Sequence, residues 1–326
     1  MRLAADPGRV AAGHLAPLVS RGDVPSLAYA VVQDGVVEVG GFGGADPETI
    51  FEIGSVTKVF TALLLADMTE RGQVRLDDAA AGYLPGGGTG PVTLADLATH
   101  TSGLPRLPPG LPWFALTSPR DPYARYPAAR FKRAARRSLR RASVPNPYVY
   151  SNYGYGVLGY LLGQAAGSAY EALVTERICG PLGLDDTTFE VPAAARARQA
   201  QGHARGRAVP DWHLGALAAA GGLHSTAADL AKLLSACLAS AATPLDGAIR
   251  TTVRPRVAIP SGHIGLAWHH ARRPDPPVIW HNGMTGGFSA MIAFDPGRGR
   301  GVAALANSAA PRSSPLDSAV FAALRE

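Results

Sequence analysis

The sequence has 326 residues, of which 47% are hydrophobic, enough to bury a large core without help from disulfides or a metal. No stretch reaches the roughly 18 uncharged apolar residues that cross a bilayer, so we expect no membrane contact. The N-terminal residues lack the apolar run and cleavage site of a signal peptide, which predicts a cytoplasmic protein. Cys179 and Cys237 lack metal-ligand spacing and are predicted to be free thiols.

The formal net charge of +6 is concentrated in one arginine-rich stretch. Its cations are Arg130, Lys132, Arg133, Arg136, Arg137, Arg140 and Arg141. Phe131, Ala134, Ala135 and Leu139 are interleaved at helical spacing, and no recognition motif accompanies the charges. We therefore predict a solvated helix face that attracts anionic substrates, and no nucleic-acid partner.

Along the chain, strand patterns cluster near both ends and helical patterns lie between them. A helix near residue 10 precedes a hairpin, residues 26–32 and 36–42, around the turn signal Asp34-Gly35. The helical patterns cover residues 56–71, 93–99, the basic stretch near 130, 153–163, 170–178 and 226–238. Further strands are predicted at 265–270, 278–280, 288–295 and 301–307, followed by a helix from Pro315.

This order predicts an α/β (α+β) fold. An antiparallel sheet is assembled from both chain ends, flanked by terminal helices, with a mostly helical insertion. We expect one catalytic domain over residues 1–326, with an α/β lobe at about 1–75 and 215–326 and a helical lobe at about 76–214. A ligand would bind where the sheet meets the insertion.

The sharpest local signal is Gly54-Ser55-Val56-Thr57-Lys58, where an extended segment turns into an apolar helix. Ser55 and Lys58 are three residues apart and share a helix face. A lysine amine can remove the serine proton only if its pKa falls well below about 10.4. The positive end of the helix dipole and partial burial both act in that direction.

Two further signals follow in the chain. Tyr150-Ser151-Asn152 comes after a proline-rich approach, and His281-Asn282-Gly283-Met284 precedes a strand. A phenol becomes a useful base only beside a cation, which Lys58 would supply. A glycine at a strand edge lets a substrate lie against the backbone.

Together these motifs resemble the serine β-lactamase and penicillin-binding-protein superfamily, and the resemblance extends over roughly residues 26–307. It implies that Ser55 is an acylated nucleophile, that Lys58 and Tyr150 exchange the proton, and that Asn152 orients the lysine and the substrate amide. His281 and Gly283 occupy the family's third element, commonly Lys-Thr-Gly but His-x-Gly in many esterase, aminopeptidase and class C-like members. The Met284 amide would then pair with that of Ser55 as an oxyanion hole.

Several other patterns in the sequence do not indicate a functional site. Gly154-x-Gly156-x-x-Gly159 matches a dinucleotide fingerprint as a string, but it follows a proline-rich loop rather than a strand. The stretch around His100 and Ser102 looks structural in the family. Surface or loop positions are predicted for His203, His213, His263, His269 and His270. No cofactor and no metal are expected.

The predicted function is that of a serine-dependent acyl-enzyme hydrolase, acting on an ester, amide or peptide bond of a small-molecule acyl donor. Two alternatives stay open: an acyltransferase that passes the acyl group to an amine or alcohol, and a non-catalytic ligand-binding protein with the same fold. His281 replaces the lysine that would anchor a substrate carboxylate, although a protonated histidine can also bind one. Together with the absence of an export signal, this favours an intracellular esterase, peptidase or acyltransferase over antibiotic resistance.

Overall fold

The computed structural model describes residues 7–239, 242–273, 277–309 and 315–326. Twelve strands are present in these ranges. They are β1 (Leu27–Gln33), β2 (Val36–Phe42), β3 (Phe51–Glu52), β4 (His203–Ala204), β5 (Arg207–Ala208), β6 (His224–Ser225), β7 (Val257–Ile259), β8 (Gly262–Ile264), β9 (His269–Ala271), β10 (Ile279–Met284), β11 (Ser289–Asp295) and β12 (Arg300–Ala306).

The α-helices of the described residues are α1 (Pro7–Ser20), α2 (Thr57–Glu70), α3 (Leu94–Ala98), α4 (Leu111–Thr117), α5 (Ala128–Arg141), α6 (Asn152–Ala166), α7 (Tyr170–Val174), α8 (Gly180–Leu182), α9 (Ala218–Gly221), α10 (Ala227–Cys237), α11 (Asp246–Val253) and α12 (Pro315–Arg325). Short 3₁₀ segments lie at Gly54–Val56, Ala80–Tyr83, Ala193–Arg198 and Gly215–Leu217, and a π-helical turn lies at Thr175–Cys179. Within the described ranges, no helix combines the length and the apolar character needed to span a bilayer.

The main sheet joins the two chain ends. Its eight strands run in the order β2-β1-β12-β11-β10-β9-β8-β7, and every neighbouring pair is antiparallel. The N-terminal strand β1 pairs with the C-terminal strand β12 along its whole length, from Leu27 opposite Ala306 to Gln33 opposite Arg300. The predicted fold class, a mixed helical and antiparallel-sheet architecture built from both ends, is confirmed.

Both faces of the sheet are covered. In β1, Leu27, Tyr29 and Val31 belong to an apolar cluster with α1 and α12, whereas Ala28 and Ala30 belong to the larger cluster with α2, α6 and α10. This alternation follows from the two-residue period of a strand. It explains why β1, β11 and β12 are almost continuously apolar, since a strand buried on both faces has no solvent side.

The arginine-rich helix α5 is amphipathic. Phe131, Ala135 and Leu139 are buried in the core cluster, and the seven cations of the stretch are exposed. Phe131 packs edge-on against Tyr153 of α6 at a ring distance of 5.9 Å. The predicted helix and its solvated charged face are therefore present.

One predicted strand is wrong. Residues 265–270 do not form a single strand: β8 ends at Ile264, β9 begins at His269, and a turn lies between them. Ala267 has a φ of 67°, in the left-handed region that extended backbone excludes. Its amide binds the Ala98 carbonyl oxygen at 3.3 Å, so a contact with α3 overrides the apolar pattern of the segment.

Another strand is longer than predicted. The strand expected at 278–280 extends through β10 to Met284, so that His281-Asn282-Gly283 lies within the sheet rather than before a strand. Asn and Gly are ordinarily turn residues, which is why the pattern predicts an earlier end. Six residue pairs with β11 override that tendency.

The glycines of the dinucleotide-like string lie inside α6 and serve helix packing. A Cβ on Gly159 would lie 2.3 Å from the Ala219 Cβ, and one on Gly156 would lie 3.3 Å from the Phe131 ring. Gly159 therefore allows α9 to approach α6 more closely than any side chain would permit.

Replacing Gly159 with alanine should force these helices apart. We expect Gly159→Ala to lower the free energy of unfolding by about 1–3 kcal/mol, the usual cost of overpacking a core. The matched control is Gly13→Ala in α1, where a Cβ would meet nothing within 4 Å; it should stabilise by about 0.5–1 kcal/mol. Urea unfolding measures both changes, and equal effects of the two variants would contradict the packing role.

Candidate active site

The turn before α2 presents Ser55. After β3, Gly54 has a φ of 49° and opens the 3₁₀ turn Gly54–Val56, from which α2 continues. A Cβ on Gly54 would lie 2.7 Å from the Met284 amide nitrogen. Gly54 therefore meets two requirements that only glycine satisfies, a left-handed backbone and the close approach of β10.

Lys58 lies fully buried beneath Ser55. Its Nζ is 2.8 Å from Ser55 Oγ and donates to the Ala220 carbonyl oxygen at 2.6 Å. Burial, followed by repulsion from the Arg106 guanidinium, lowers the pKa of Lys58 well below its ordinary value. A neutral amine can donate one N–H to Ala220 and use its lone pair to accept the proton of Ser55, as the spacing of the motif predicts.

Tyr150 lies beside the same hydroxyl. Its phenol is close enough to Ser55 for that side chain to lower the pKa of the phenol, and the Lys58 Nζ lies 4.9 Å from the centre of its ring. Burial raises the pKa of this phenol far above its ordinary value, against the smaller lowering effects of Ser55 and Arg106.

The raised pKa favours the protonated phenol, and the lowered pKa of Lys58 reduces the positive charge that would stabilise a phenolate. A protonated Tyr150 can donate its proton. The exchange of a proton between Lys58 and Tyr150 stays a prediction.

His100 holds Tyr150 in position. Its carbonyl oxygen accepts from the Val149 amide at 2.9 Å, and its Nδ1 accepts from the Ser151 amide at 3.0 Å. The His100 ring packs on the Tyr150 ring at a centroid distance of 4.5 Å. The interpretation of this stretch as structural fits the geometry, because His100 binds the residues on both sides of Tyr150.

Asn152 begins α6. Among the described residues, Lys58 Nζ is hydrogen-bonded to Ser55 and to Ala220, and no hydrogen bond joins it to Asn152. Asn152 Oδ1 is buried and has no hydrogen-bond partner in the part of the chain that the structure describes. The role that the resemblance implies for Asn152 stays a prediction.

The third motif lies on β10, against the nucleophile turn. A Cβ on Gly283 would lie 2.0 Å from the Ile53 carbonyl oxygen and 3.0 Å from the Ser55 amide nitrogen. The Thr285 amide donates a hydrogen bond to the Phe288 carbonyl oxygen at 3.0 Å. Since hydrogen bonding alternates along an antiparallel ladder, the Met284 N–H is expected to point away from β11, to the side where the Ser55 turn packs on β10. The Met284 side chain is 53% exposed.

His281 belongs to the same strand, and its side chain is fully buried. Its Nδ1 is 2.7 Å from the Asn282 carbonyl oxygen, and among the described residues its Nε2 has no partner. Burial, together with the neighbouring His269 and Lys58, holds the pKa of His281 well below its ordinary value. A protonated His281 that binds a carboxylate, considered from the sequence, is therefore disfavoured at neutral pH.

The prediction that His269 and His270 are surface residues is wrong, because both are buried on β9. His269 Nε2 is 3.0 Å from the Tyr148 hydroxyl, and its ring stacks on Trp280 at 4.7 Å. Burial lowers the pKa of His269 to about 4. Sequence spacing could not reveal this neighbour of His281, because the turn at Ala267 determines which way β9 points.

Arg106 also lies at the site, although the sequence patterns did not predict it there. Its guanidinium lies over the Tyr150 ring, 5.2 Å from the ring centre, and its residue is exposed. Its position a few residues after His100 and Ser102 is the one sequence signal that could have drawn attention to it.

A serine beside a buried lysine and a tyrosine, set between a helical insertion and an antiparallel sheet, is typical of serine acyl enzymes. The family profile named Beta-lactamase matches residues 11–325. The chain therefore belongs to the β-lactamase family, within the serine β-lactamase and penicillin-binding-protein superfamily, and is a serine hydrolase of that kind.

Individual relatives agree with this assignment. A β-lactamase of Pseudomonas fluorescens is 28% identical, with 97% of this chain and 98% of the relative covered. The D-alanyl-D-alanine-carboxypeptidase/endopeptidase AmpH of Escherichia coli K12 is 29% identical over 76% of this chain and 68% of the relative. A crystal structure of a class C β-lactamase from Rhodobacter sphaeroides superposes with a TM-score of 0.84 at 26% identity, covering 97% of this chain and 99% of that one.

Burial of Lys58 has a measurable consequence for stability. The unfolded lysine has an ordinary pKa of 10.5 and folded Lys58 a lower one, so between these values the unfolded chain binds one more proton and wild-type stability rises with pH. We expect Lys58→Met to be more stable than wild type at neutral pH by about 1–2 kcal/mol. The advantage should shrink as the pH approaches 10.5.

Guanidinium unfolding of both proteins at several values from neutral to alkaline pH measures this difference. Lys132→Met, at an exposed position of α5, is the control and should show no such trend. A Lys58→Met advantage that does not change with pH would contradict a desolvated amine.

Proposed function

We propose that Ser55 is the nucleophile of an acyl-enzyme hydrolase that cleaves an ester, amide or peptide bond of a small molecule. The observation that carries the proposal is the 2.8 Å contact between Ser55 Oγ and the Nζ of a fully buried lysine. Burial lowers the pKa of this amine well below its ordinary value, and an unprotonated amine at this distance can act as the base.

In the acylation step, Ser55 Oγ attacks the substrate carbonyl carbon as its proton passes to the Lys58 Nζ. The carbonyl oxygen becomes an oxyanion between the Ser55 and Met284 amides, two donors that need no reorganisation. Tyr150 donates its proton to the leaving oxygen or nitrogen as the tetrahedral intermediate collapses. The Lys58 ammonium then returns a proton to Tyr150, which leaves a neutral amine beside the acyl-serine.

In the second step the acceptor attacks the acyl-serine and loses its proton to the same relay, and Ser55 leaves as a hydroxyl. Water as acceptor makes the reaction a hydrolysis. An amine or alcohol as acceptor would make it an acyl transfer, with the same residues in the same roles. Asn152 Oδ1, which is buried and has no hydrogen-bond partner among the described residues, would accept a substrate N–H, as the resemblance implies.

The first test is direct detection of the acyl-enzyme. Intact-protein mass spectrometry after brief exposure to an activated acyl ester, and separately to a penicillin, should show a single adduct on wild type and none on Ser55→Ala. An adduct of equal yield on Ser55→Ala would refute Ser55 as the nucleophile. Absence of any adduct and of ester turnover would support a binding protein with the same fold instead.

Removing the proton donor should slow acylation without preventing folding. Tyr150→Phe is expected to lower kcat/KM for a p-nitrophenyl ester by about 10²–10⁴, the usual contribution of a positioned acid or base. Tyr160→Phe, a half-buried tyrosine on α6 away from Ser55, is the matched control and should retain wild-type rates. Equal rates for Tyr150→Phe and wild type would remove Tyr150 from the mechanism.

The acceptor of the acyl group is identified by measuring how the acyl group is divided between water and an added amine or alcohol. Product analysis with increasing concentrations of a primary amine or an alcohol distinguishes hydrolysis, which gives free acid throughout, from transfer, which gives an amide or ester in proportion to the acceptor. We expect the free acid to predominate.

A further inference from the structure

A second cluster of chemically capable side chains lies on the two-stranded ribbon that precedes the nucleophile. Glu52 of β3 and His224 of β6 are directly opposite each other in the antiparallel register. Asp211, from the loop before the 3₁₀ turn Gly215–Leu217, reaches the same point. One ligand atom from each of these three residues lies within 4.8 Å of the others.

The polar atoms of this cluster lack partners although they are buried. Glu52 is 4% exposed and His224 is 8% exposed. Among the described residues, Glu52 Oε2 and both ring nitrogens of His224 have no partner at hydrogen-bond geometry. Three orphaned polar atoms at one point are uncommon in a folded protein, since each costs free energy unless something binds it.

The other polar contacts of the cluster hold it in place. Glu52 Oε1 accepts from the Trp212 amide at 2.6 Å, and Asp211 Oδ2 accepts from Gln199 Nε2 at 2.7 Å. Each carboxylate is thus anchored through one oxygen. The second oxygen of Glu52 has no hydrogen-bond partner among the described residues.

The electrostatics favour a cation. Burial, with smaller contributions from the negative charges of Asp211 and Asp121, raises the pKa of Glu52 to about 7, against the lowering effect of the nearby Thr285 hydroxyl and the Trp212 amide. Burial also lowers the pKa of His224, which keeps the imidazole in the neutral form that binds metals. A divalent ion would reverse the mutual repulsion of the carboxylates.

Solvent reaches this point from a side that does not contain the nucleophile. A cavity of about 990 Å³ is lined by Asp211, Trp212 and His224, among other residues. Ser55, Lys58 and Tyr150 do not line it. An ion could therefore enter, and keep water as a further ligand, without passing through the candidate active site.

We propose that Glu52, Asp211 and His224 form a binding site for one divalent transition-metal ion, with Zn²⁺ as the best match. One imidazole nitrogen and two carboxylate oxygens are ordinary zinc ligands, and water from the cavity completes a tetrahedral set. Bonds of about 2.1 Å place tetrahedral ligands about 3.4 Å apart, so the side chains must close slightly around the ion. Zinc is favoured over Mn²⁺ by the usual affinity order.

The ion would have a structural role. It would join β3, which leads directly into the Ser55 turn, to β6 and to the Asp211 loop, two segments that are far from β3 in the sequence. Sequence spacing predicted no metal because these ligands are separated by 159 and 13 positions (211 − 52 and 224 − 211). This site does not depend on the proposed reaction of Ser55.

The test uses full-length protein without a histidine tag, stripped with EDTA and dialysed. Elemental analysis after exposure to ZnCl₂, and calorimetric titration with Zn²⁺, should give one equivalent per chain. The melting temperature should rise by about 3–6 °C at a hundredfold excess over Kd. MnCl₂ should bind the same site at least tenfold more weakly.

Two variants remove different ligands. His224→Phe and Asp211→Asn should each weaken Zn²⁺ binding by at least about 100-fold and abolish the melting shift. His263→Ala, an exposed histidine on β8, is the matched control and should bind like wild type. Asp211 is only half-buried, so Asp211→Asn keeps the test valid if His224→Phe does not fold; circular dichroism checks this.

No stoichiometric uptake of either metal by wild type would overturn the proposal. Undiminished binding by a folded Asp211→Asn or His224→Phe would also overturn it, because the ion would then lie elsewhere. Since the readouts are metal content and melting temperature, their failure is distinguishable from failure of the acyl-enzyme mechanism.

Discussion

The site depends on the removal of one amine from water. Lys58 is fully buried, and it makes two close polar contacts, to Ser55 and to the Ala220 carbonyl oxygen. The rings of Tyr150 and Tyr155 lie 4.9 and 5.6 Å from its Nζ and help to exclude solvent. A lysine in water would be an ammonium ion without a lone pair, so desolvation converts an ordinary side chain into a base. The free-energy cost of burying Lys58 is tolerated because the surrounding apolar core is large.

The second constraint is close approach of backbone to backbone. Gly54 and Gly283 allow the nucleophile turn and β10 to touch, and Gly159 allows α9 to reach α6. The first contact brings the Ser55 and Met284 amides together. The second supports α9, whose Ala220 carbonyl oxygen anchors Lys58. Glycines that are more than 200 positions apart in the sequence (283 − 54) thus determine how the elements of one candidate active site are arranged.

Three buried imidazoles lie near Lys58. His100, His269 and His281 are all buried, and burial lowers the pKa of each. An additional positive charge here would be repelled by neighbouring groups and by any proton on Lys58. The third motif consequently contributes no permanent cation, and the exposed Arg106 is the cation that lies over Tyr150. Selection among acyl donors is therefore expected to depend on shape and on Arg106 more than on His281.

The amino-acid sequence by itself determined the fold class, the order of the three motifs and the helix that carries Ser55 and Lys58, because these follow from local periodicity and from a resemblance covering most of the chain. It also placed β1, β2, β11 and β12 to within a residue or two. It failed at residues 265–270, where a contact between Ala267 and α3 overrides the apolar pattern. Only the tertiary structure decided that Lys58 is fully buried, that His269 is buried, and that Glu52, Asp211 and His224 converge. Those properties depend on desolvation and on contacts between residues distant in the chain. Neither can be derived from the spacing of residues along the sequence.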